Sequence, residues 1–301
     1  MWAVIDIGSN TIRLVIYSVQ DNKPHPMLNK KYAVGLAGYV DKTNRIQPDG
    51  IQVLLEALTD IVNILEYIKP KCVLPFGTAA LRNSANGEEI VALIKKTCGL
   101  DVDILSGEEE ATYDFYGILL DGSKNSGMLV DVGGGSTELT FFEDNTILSA
   151  VSMPIGSLNL FRSSVKGLIP TKKEAHNIKK KVKDNLQRLD NLPHNDVTTI
   201  YSVGGTARAA LLLMRKYFDL GSTNEFTMPN LKELLSYIDK NVEDLAKNIL
   251  RLSPDRIHTL IPGLLVLQAT AKYFNSIKFI TSRFGVREGY LMQHLSKAKD
   301  I

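Results

Sequence analysis

Apolar residues in this chain follow two spacings, every second position or every third to fourth, and the change between them marks out the elements. Residues 2–7 are an apolar run holding one carboxylate, 8–10 are turn formers, and 12–17 are a second β-branched run; together they predict a strand hairpin. A further strand is predicted between 32 and 40. From about Pro48 onward, Ile51, Leu54, Leu55, Leu58, Ile61, Val62 and Leu65 recur at helical spacing. Residues 73–76 form a short strand that leads through Gly77 and Thr78 into helical sequence. Ser106 is placed to cap a helix over 108–120 whose first turn is acidic, as the helix dipole favours. The stretch 121–127, Asp-Gly-Ser-Lys-Asn-Ser-Gly, is the best linker in the chain.

Beyond it the opening pattern returns. An apolar strand over 128–132 runs into Asp-Val-Gly-Gly-Gly-Ser-Thr, and 138–142 is the returning strand. A basic helix (171–189), a strand (199–203), a Gly-Gly-Thr turn, helices to about Phe274, a strand (279–281) and a last helix from about Val286 complete the order. Two hairpins that each carry Asp-x-Gly, followed by strands alternating with helices, predict two related α/β units with a cleft between them. The expected division is 1–122 and 123–301, with the helix from about 287 packing back onto the first unit.

Composition narrows the class. With 301 residues, 44% hydrophobic and 23% charged, the chain is an ordinary globular one of two domains. Its 35 basic and 33 acidic side chains leave a formal charge of +2, which excludes a polycation built to coat nucleic acid. Cys72 and Cys98 are the only cysteines, which excludes a disulfide scaffold and a cysteine-rich zinc site. They are read as small core hydrophobes in a reducing cytosol. A carboxylate at position 6 with no basic segment before it does not suit a signal peptide, and the longest apolar stretch, 261–271, is interrupted by Pro262, Gly263 and Gln268. The expectation is a soluble, cytoplasmic protein that binds neither nucleic acid nor membrane.

Four loops carry the candidate chemistry. Gly8, Ser9, Asn10 and Thr11 can form a concave donor surface for an anion. Alone this resembles a plain hairpin turn, but the second copy, Asp131-Val-Gly133-Gly134-Gly135-Ser136-Thr137-Glu138, changes the balance. Three glycines in an ordinary turn cost conformational entropy with no packing return; they suit a backbone that something bulky must touch. A loop over 133–136 sets Asp131 and Glu138 opposite one another on paired strands, where like charges repel. A divalent cation removes the repulsion, and Mg²⁺ commonly completes its shell with waters and phosphate oxygens. Gly204, Gly205 and Thr206, with Arg208 just inside the following helix, let a phosphate approach a helix N-terminus. Glu108, Glu109 and Glu110 are ordinary first-turn carboxylates unless one faces the phosphate loops, where it becomes a general base for water. Arg82 follows a turn expected at the same cleft and is assigned to phosphate. The lysines of the basic helix, Lys172, Lys173, Lys179, Lys180, Lys181 and Lys183, are read as a solvated face, and the five histidines receive no role.

In order along nearly the whole chain stand Asp6-Ile-Gly-Ser-Asn10, Gly77-Thr-Ala-Ala-Leu-Arg82, Ser106-Gly-Glu-Glu-Glu-Ala111, Asp131-Val-Gly-Gly-Gly-Ser-Thr-Glu138, Pro154-Ile-Gly-Ser157, Gly204-Gly-Thr206 and Arg287-Glu-Gly289. This ordered set resembles the exopolyphosphatase/guanosine pentaphosphate phosphatase family, within the actin, sugar-kinase and Hsp70 superfamily. The resemblance implies two ribonuclease-H-like domains of the actin-like ATPase type with an interdomain cleft, and removal of terminal phosphate from inorganic polyphosphate or guanosine pentaphosphate by direct attack of water. By motif position Glu110 matches the catalytic base, Glu138 a second catalytic carboxylate, and Arg82 a phosphate-binding arginine. Asp131 and Glu138, with Asp6, match the acidic residues where Mg²⁺ is expected. Many relatives continue into further helical domains that extend the polyphosphate channel and help form a dimer. With the chain ending at Ile301, long-chain processivity and guanosine recognition through such domains are not expected, and a homodimer stays open. Relatives often carry Arg-Ala-Asp where this chain has Arg256-Ile257-His258, a change expected to alter a local hydrogen bond rather than the activity. Two rivals remain: an ATP-binding kinase or ATPase of the same superfamily, with adenosine near Gly204, and a sensor that binds polyphosphate or alarmone without turning it over.

Overall fold

The first apolar run is the middle of a sheet. In the computed structural model, which describes residues 1–122, 124–189, 192 and 196–299 and side chains as far as Ser296, β1 (Trp2–Ile7) is flanked on one side by β2 (Ile12–Gln20) and β3 (Lys23–Tyr32), and on the other by β4 (Cys72–Gly77) and β5 (Asp103–Ile104). β1, β2 and β3 are antiparallel, whereas β4 and β5 run parallel to β1 and β4 respectively. Parallel neighbours require crossovers, and helices supply them. Between β3 and β4 lies α1 (Pro48–Ile68); between β4 and β5 lie α2 (Ala79–Arg82) and α3 (Gly87–Cys98). The predicted periodicity of α1 is the buried face Leu54, Leu58, Ile61 and Leu65, which packs in one core with Ile5, Ile7, Leu14 and Ile94.

One predicted element is corrected. No strand occupies 33–39; the strand lies earlier, as β3, which ends at Tyr32, and Leu36–Tyr39 is a single 3-10 turn entered through Gly35 at φ 64°. Lys-Pro-His-Pro at 23–26 masks β3, because proline donates nothing to a ladder. β3 is the edge strand, where that costs least. The signal that marks it is Asp21-Asn22, both at positive φ (51° and 57°), as a two-residue hairpin turn demands.

The second sheet repeats the first. β6 (Ser126–Val132), β7 (Thr137–Glu143) and β8 (Thr146–Met153) are antiparallel; β9 (Thr199–Val203) is parallel to β6, β11 (Lys278–Thr281) to β9, and β10 (Glu225–Thr227) closes the far edge. The order β8-β7-β6-β9-β11 matches β3-β2-β1-β4-β5. The hairpin turn recurs too: Asp144-Asn145, at φ 46° and 62°, joins β7 to β8. Around this sheet lie α4 (Gly107–Leu119), α5 (Ser157–Ser164), α6 (Lys172–Leu186), α7 (Gly204–Tyr217), α8 (Met228–Lys240), α9 (Val242–Leu252) and α10 (Leu260–Tyr273); the last element of the chain is α11 (Val286–Lys299). The fold class is the expected mixed α/β arrangement with two sheets of one topology.

α10 is the apolar stretch noted in the sequence. Ten of its residues from Leu260 to Ala271 are buried, and its side chains join one core with Met128, Phe141, Ile178 and Leu213. A helix apolar on every side is a core helix here: among the described residues no helix is long and apolar enough to cross a membrane. α6 is its amphipathic opposite. Thr171 and Glu174 close a capping box, Ala175, Ile178, Val182 and Leu186 face inward, and the lysines line the outer face as expected.

By contacts the chain forms two units, Met1–Glu110 with the chain from Tyr290 on, and Ala111–Gly289. Tyr290 belongs to the first through Phe76, 4.8 Å away ring to ring, and through a hydrogen bond to Asp103. Replacing Leu264 of α10 by alanine is expected to cost about 2–5 kcal/mol, since it leaves a cavity where nothing can collapse. Urea unfolding of wild type and Leu264→Ala checks this; a loss under about 1 kcal/mol would place α10 outside the core.

Candidate active site

β6 and β7 meet at the glycine loop. Their register sets Asp131 against Glu138 and Val132 against Thr137, as predicted. Glu138 is fully buried, and Ser152, its cross-strand partner on β8, donates its hydroxyl to Glu138 Oε1 at 2.8 Å. Asp131 also lies level with Val203 on parallel β9. The next residue, Gly204, has φ 78°, and a Cβ there would run into the Asp131 carboxylate. The loop and the β9–α7 turn thus share one edge, at the carboxyl ends of β6 and β9, where ligands of open α/β sheets bind.

The loop carbonyls all point one way. Gly133 O accepts from the amide and the hydroxyl of Ser157, at 2.8 and 2.9 Å. Gly134 O accepts from the amides of Leu158 and Asn159, at 3.0 and 3.1 Å. Gly135 O accepts from Asn159 Nδ2 at 3.0 Å. The first turn of α5 therefore holds three consecutive carbonyls, and Gly156, just before it, packs so close to Gly134 that any side chain would collide with backbone. In a trans peptide the C=O and the following N–H point in opposite directions. The amides of Gly134, Gly135 and Ser136 consequently face away from α5 as a row of donors, the form of an anion nest.

The first hairpin uses the same device. Ser9 O accepts from Ala37 N at 3.0 Å and Asn10 O from Gly35 N at 2.9 Å, so the amides of Asn10 and Thr11 turn the other way. Gly8 N closes the turn on Thr11 O at 3.0 Å. Asp6 lies opposite Arg13 on β2.

The three glutamates of α4 are sorted by its cap. Glu109 accepts from Ser106 N at 2.8 Å and donates its own amide to Ser106 Oγ at 3.1 Å, a capping box. Glu108 is exposed, and only Glu110 turns inward. Its Oε2 lies 2.9 Å from Arg82 Nη1, which also donates to Leu105 O at 2.7 Å. The acid and the arginine singled out in the sequence are therefore one ion pair, buried enough (side chains 10% and 18% exposed) to fix both orientations.

At the start of α7 the guanidinium of Arg256 packs against Gly205, where any side chain would collide with it. Burial pushes Arg256 below the usual arginine range and Arg208 adds to this, while Asp255 and Asp131 oppose it. Thr206 and Thr137 are buried, with hydroxyls given to Val132 O (2.8 Å) and Ile155 O (2.7 Å). His258, the departure at 256–258, packs its ring 4.7 Å from Phe161 on α5. Asp6, Gly8, Ser9, Asn10, Thr11, Arg82 and Glu110 thus belong to the first unit. Gly133 to Thr137, Asp131, Glu138, Gly204, Gly205, Thr206 and Arg208 gather in the second.

Ser152, Asn159 and Arg256 at these loops were not among the residues assigned from sequence. Ser152 sits on β8, which the pattern did not reveal, and nothing about an isolated asparagine marks Asn159. Among the described residues no group of three or more His, Cys, Asp or Glu is set to hold a metal. Two facing carboxylates are nonetheless a fit for Mg²⁺, which binds through one or two protein carboxylates and keeps waters and phosphate oxygens for the rest.

The model of the Ppx/GppA phosphatase family matches residues 15–298. The phosphatase-bearing "bifunctional 3-dehydroquinate synthase/phosphatase" of Fusobacterium nucleatum is 26% identical over 296 residues, 93% of this chain; the chain spans 44% of that protein's length. Exopolyphosphatase 1 of Mycobacterium tuberculosis is 23% identical over 315 residues, covering 99% of this chain and 89% of that one. The crystal structure of the Aquifex aeolicus Ppx/GppA family member superposes with a TM-score of 0.80 at 25% identity, covering 99% and 98% of the two chains. Matched by its family model over nearly its whole length, and folded like a solved member, the chain belongs to the Ppx/GppA phosphatase family.

Proposed function

We propose that the chain is an exopolyphosphatase, a hydrolase that removes the terminal phosphate of inorganic polyphosphate, with guanosine pentaphosphate, which ends in the same phosphoanhydride, as its second substrate. The observation that carries this is the outward row of amides at Gly134–Ser136 beside Asp131 and Glu138. Those amides receive the terminal phosphoryl oxygens, and the hairpin at Gly8–Thr11 offers a second such surface. Glu110, held by Arg82, takes the proton of the attacking water. Arg82 stays near enough to its carboxylate to share in binding phosphate charge. Asp131 and Glu138 would hold Mg²⁺, which when bound offsets negative charge on the phosphate oxygens. Little covalent work is left to the protein, since positioning and charge compensation supply the rate in phosphoryl transfer. Two free thiols at Cys72 and Cys98 suit a cytoplasmic setting.

Glu110→Gln keeps the shape and removes the base. Phosphate release from polyphosphate is expected to fall by about 10³-fold with affinity nearly unchanged. Release at the wild-type rate would remove Glu110 from the chemistry, and release that requires an acceptor or nucleotide would favour the kinase. Chelation is expected to abolish phosphate release from either substrate and added Mg²⁺ to restore it, followed by a phosphate assay. Activity that survives the chelator would overturn the role given to Asp131 and Glu138.

A further inference from the structure

The geometry points to Asn159 and Ser157 as positioning residues that set the glycine loop in its anion-binding orientation. This rests on the reading of that loop as the terminal-phosphate site. Of the five hydrogen bonds that capture the carbonyls of Gly133, Gly134 and Gly135, three come from the backbone amides of α5, which any sequence would supply. The other two come from side chains: Ser157 Oγ on Gly133 O and Asn159 Nδ2 on Gly135 O. Gly135 O is the telling case. The Asn159 amide nitrogen is the partner this structure gives that carbonyl, and the same peptide unit carries the Ser136 amide. Glycine places no steric bar on a peptide flip. With Asn159 present the flip breaks a hydrogen bond; without it, the Gly135–Ser136 unit can turn its carbonyl toward the anion and its amide away. One side chain on a neighbouring helix thereby decides whether a dipole of the nest attracts or repels phosphate. Ser157 acts likewise on Gly133 O, backed by its own amide, so its effect is the smaller.

The experiment compares Asn159→Ala, Ser157→Ala and a control, Asn185→Ala, which removes a similar side-chain bond, Asn185 Nδ2 to Lys181 O, from α6 far along the chain. Inorganic phosphate is the calorimetric probe, with kcat and KM on tripolyphosphate and melting temperature measured alongside. Asn159→Ala is expected to weaken phosphate binding and raise KM by about tenfold each, the size of one charge-assisted hydrogen bond lost to the anion. Ser157→Ala is expected to shift both by about threefold or less, and Asn185→Ala neither, at comparable melting temperatures. Asn159→Gln, with its donor on a longer arm, is expected to recover part of the loss. Phosphate affinity in Asn159→Ala equal to that of Asn185→Ala would overturn the proposal, as would a loss equal in Ser157→Ala and Asn159→Ala. If Asn159→Ala does not fold, Asn159→Gln and Ser157→Ala carry the test, and unchanged phosphate affinity in both overturns it. A wild type that binds phosphate but releases none from polyphosphate would sink the exopolyphosphatase reading and leave the brace standing.

Discussion

A peptide unit cannot present its carbonyl and its amide to the same side. That constraint organises both hairpins at the head of the two sheets. An anion site of backbone amides needs somewhere to send the opposing carbonyls, and burial without partners would cost more than the site gains. In the first unit the amides of Gly35 and Ala37 take the carbonyls of Asn10 and Ser9 respectively. In the second the start of α5 takes those of Gly133, Gly134 and Gly135. The outward row of amides is thus only half of each device; the other half is the segment behind it. A helix N-terminus usually lends its amides to an anion directly. α5 instead uses its first-turn amides to anchor the carbonyls of the glycine loop.

The repeated topology explains why the two devices lie at corresponding places. Both sheets begin with three antiparallel strands, both turn back through an Asp-Asn pair at positive φ, and both add a parallel strand next to the first. The chain between the first two strands of each sheet therefore emerges beside the end of the parallel strand, β4 or β9. In the first unit β4 ends at Gly77, next in sequence to Thr78, whose amide donates to Ile7 O at 3.2 Å. In the second, β9 ends at Val203, and the next residue, Gly204, lies against Asp131.

What the sequence made legible follows from this. The hairpins, the Asp131–Glu138 pairing, the helix α1 and the turn at Gly204 carry local signals: glycine where backbone must be approached, apolar residues at helical spacing, a loop length that fixes register. Glu110 could be named only through resemblance, since three successive glutamates look alike until the capping box takes Glu109 and exposure takes Glu108. β3 and β8 escaped because edge strands tolerate proline and polar residues that central strands do not. Ser152 and Asn159 escaped for a different reason: each acts on a backbone or side-chain atom 14 or 24 residues away, and no periodicity records such a contact.

The pairing of Asp131 with Glu138 shows how firmly the register is held. Two carboxylates opposite each other on neighbouring strands repel, and the one on β7 is buried besides. A slip of one residue would relieve the repulsion by sending Glu138 to the other face, but it would also reverse Leu139 and Phe141, which lie in the core with Met128 and Val130. The apolar alternation of β7 thus enforces a charge arrangement that the charges themselves oppose. Ser152 relieves part of it through its hydroxyl. The charge of Arg256, which attracts Asp131, offsets more of it, and a core built from Leu139 and Phe141 is what keeps the two carboxylates together beside the glycine loop.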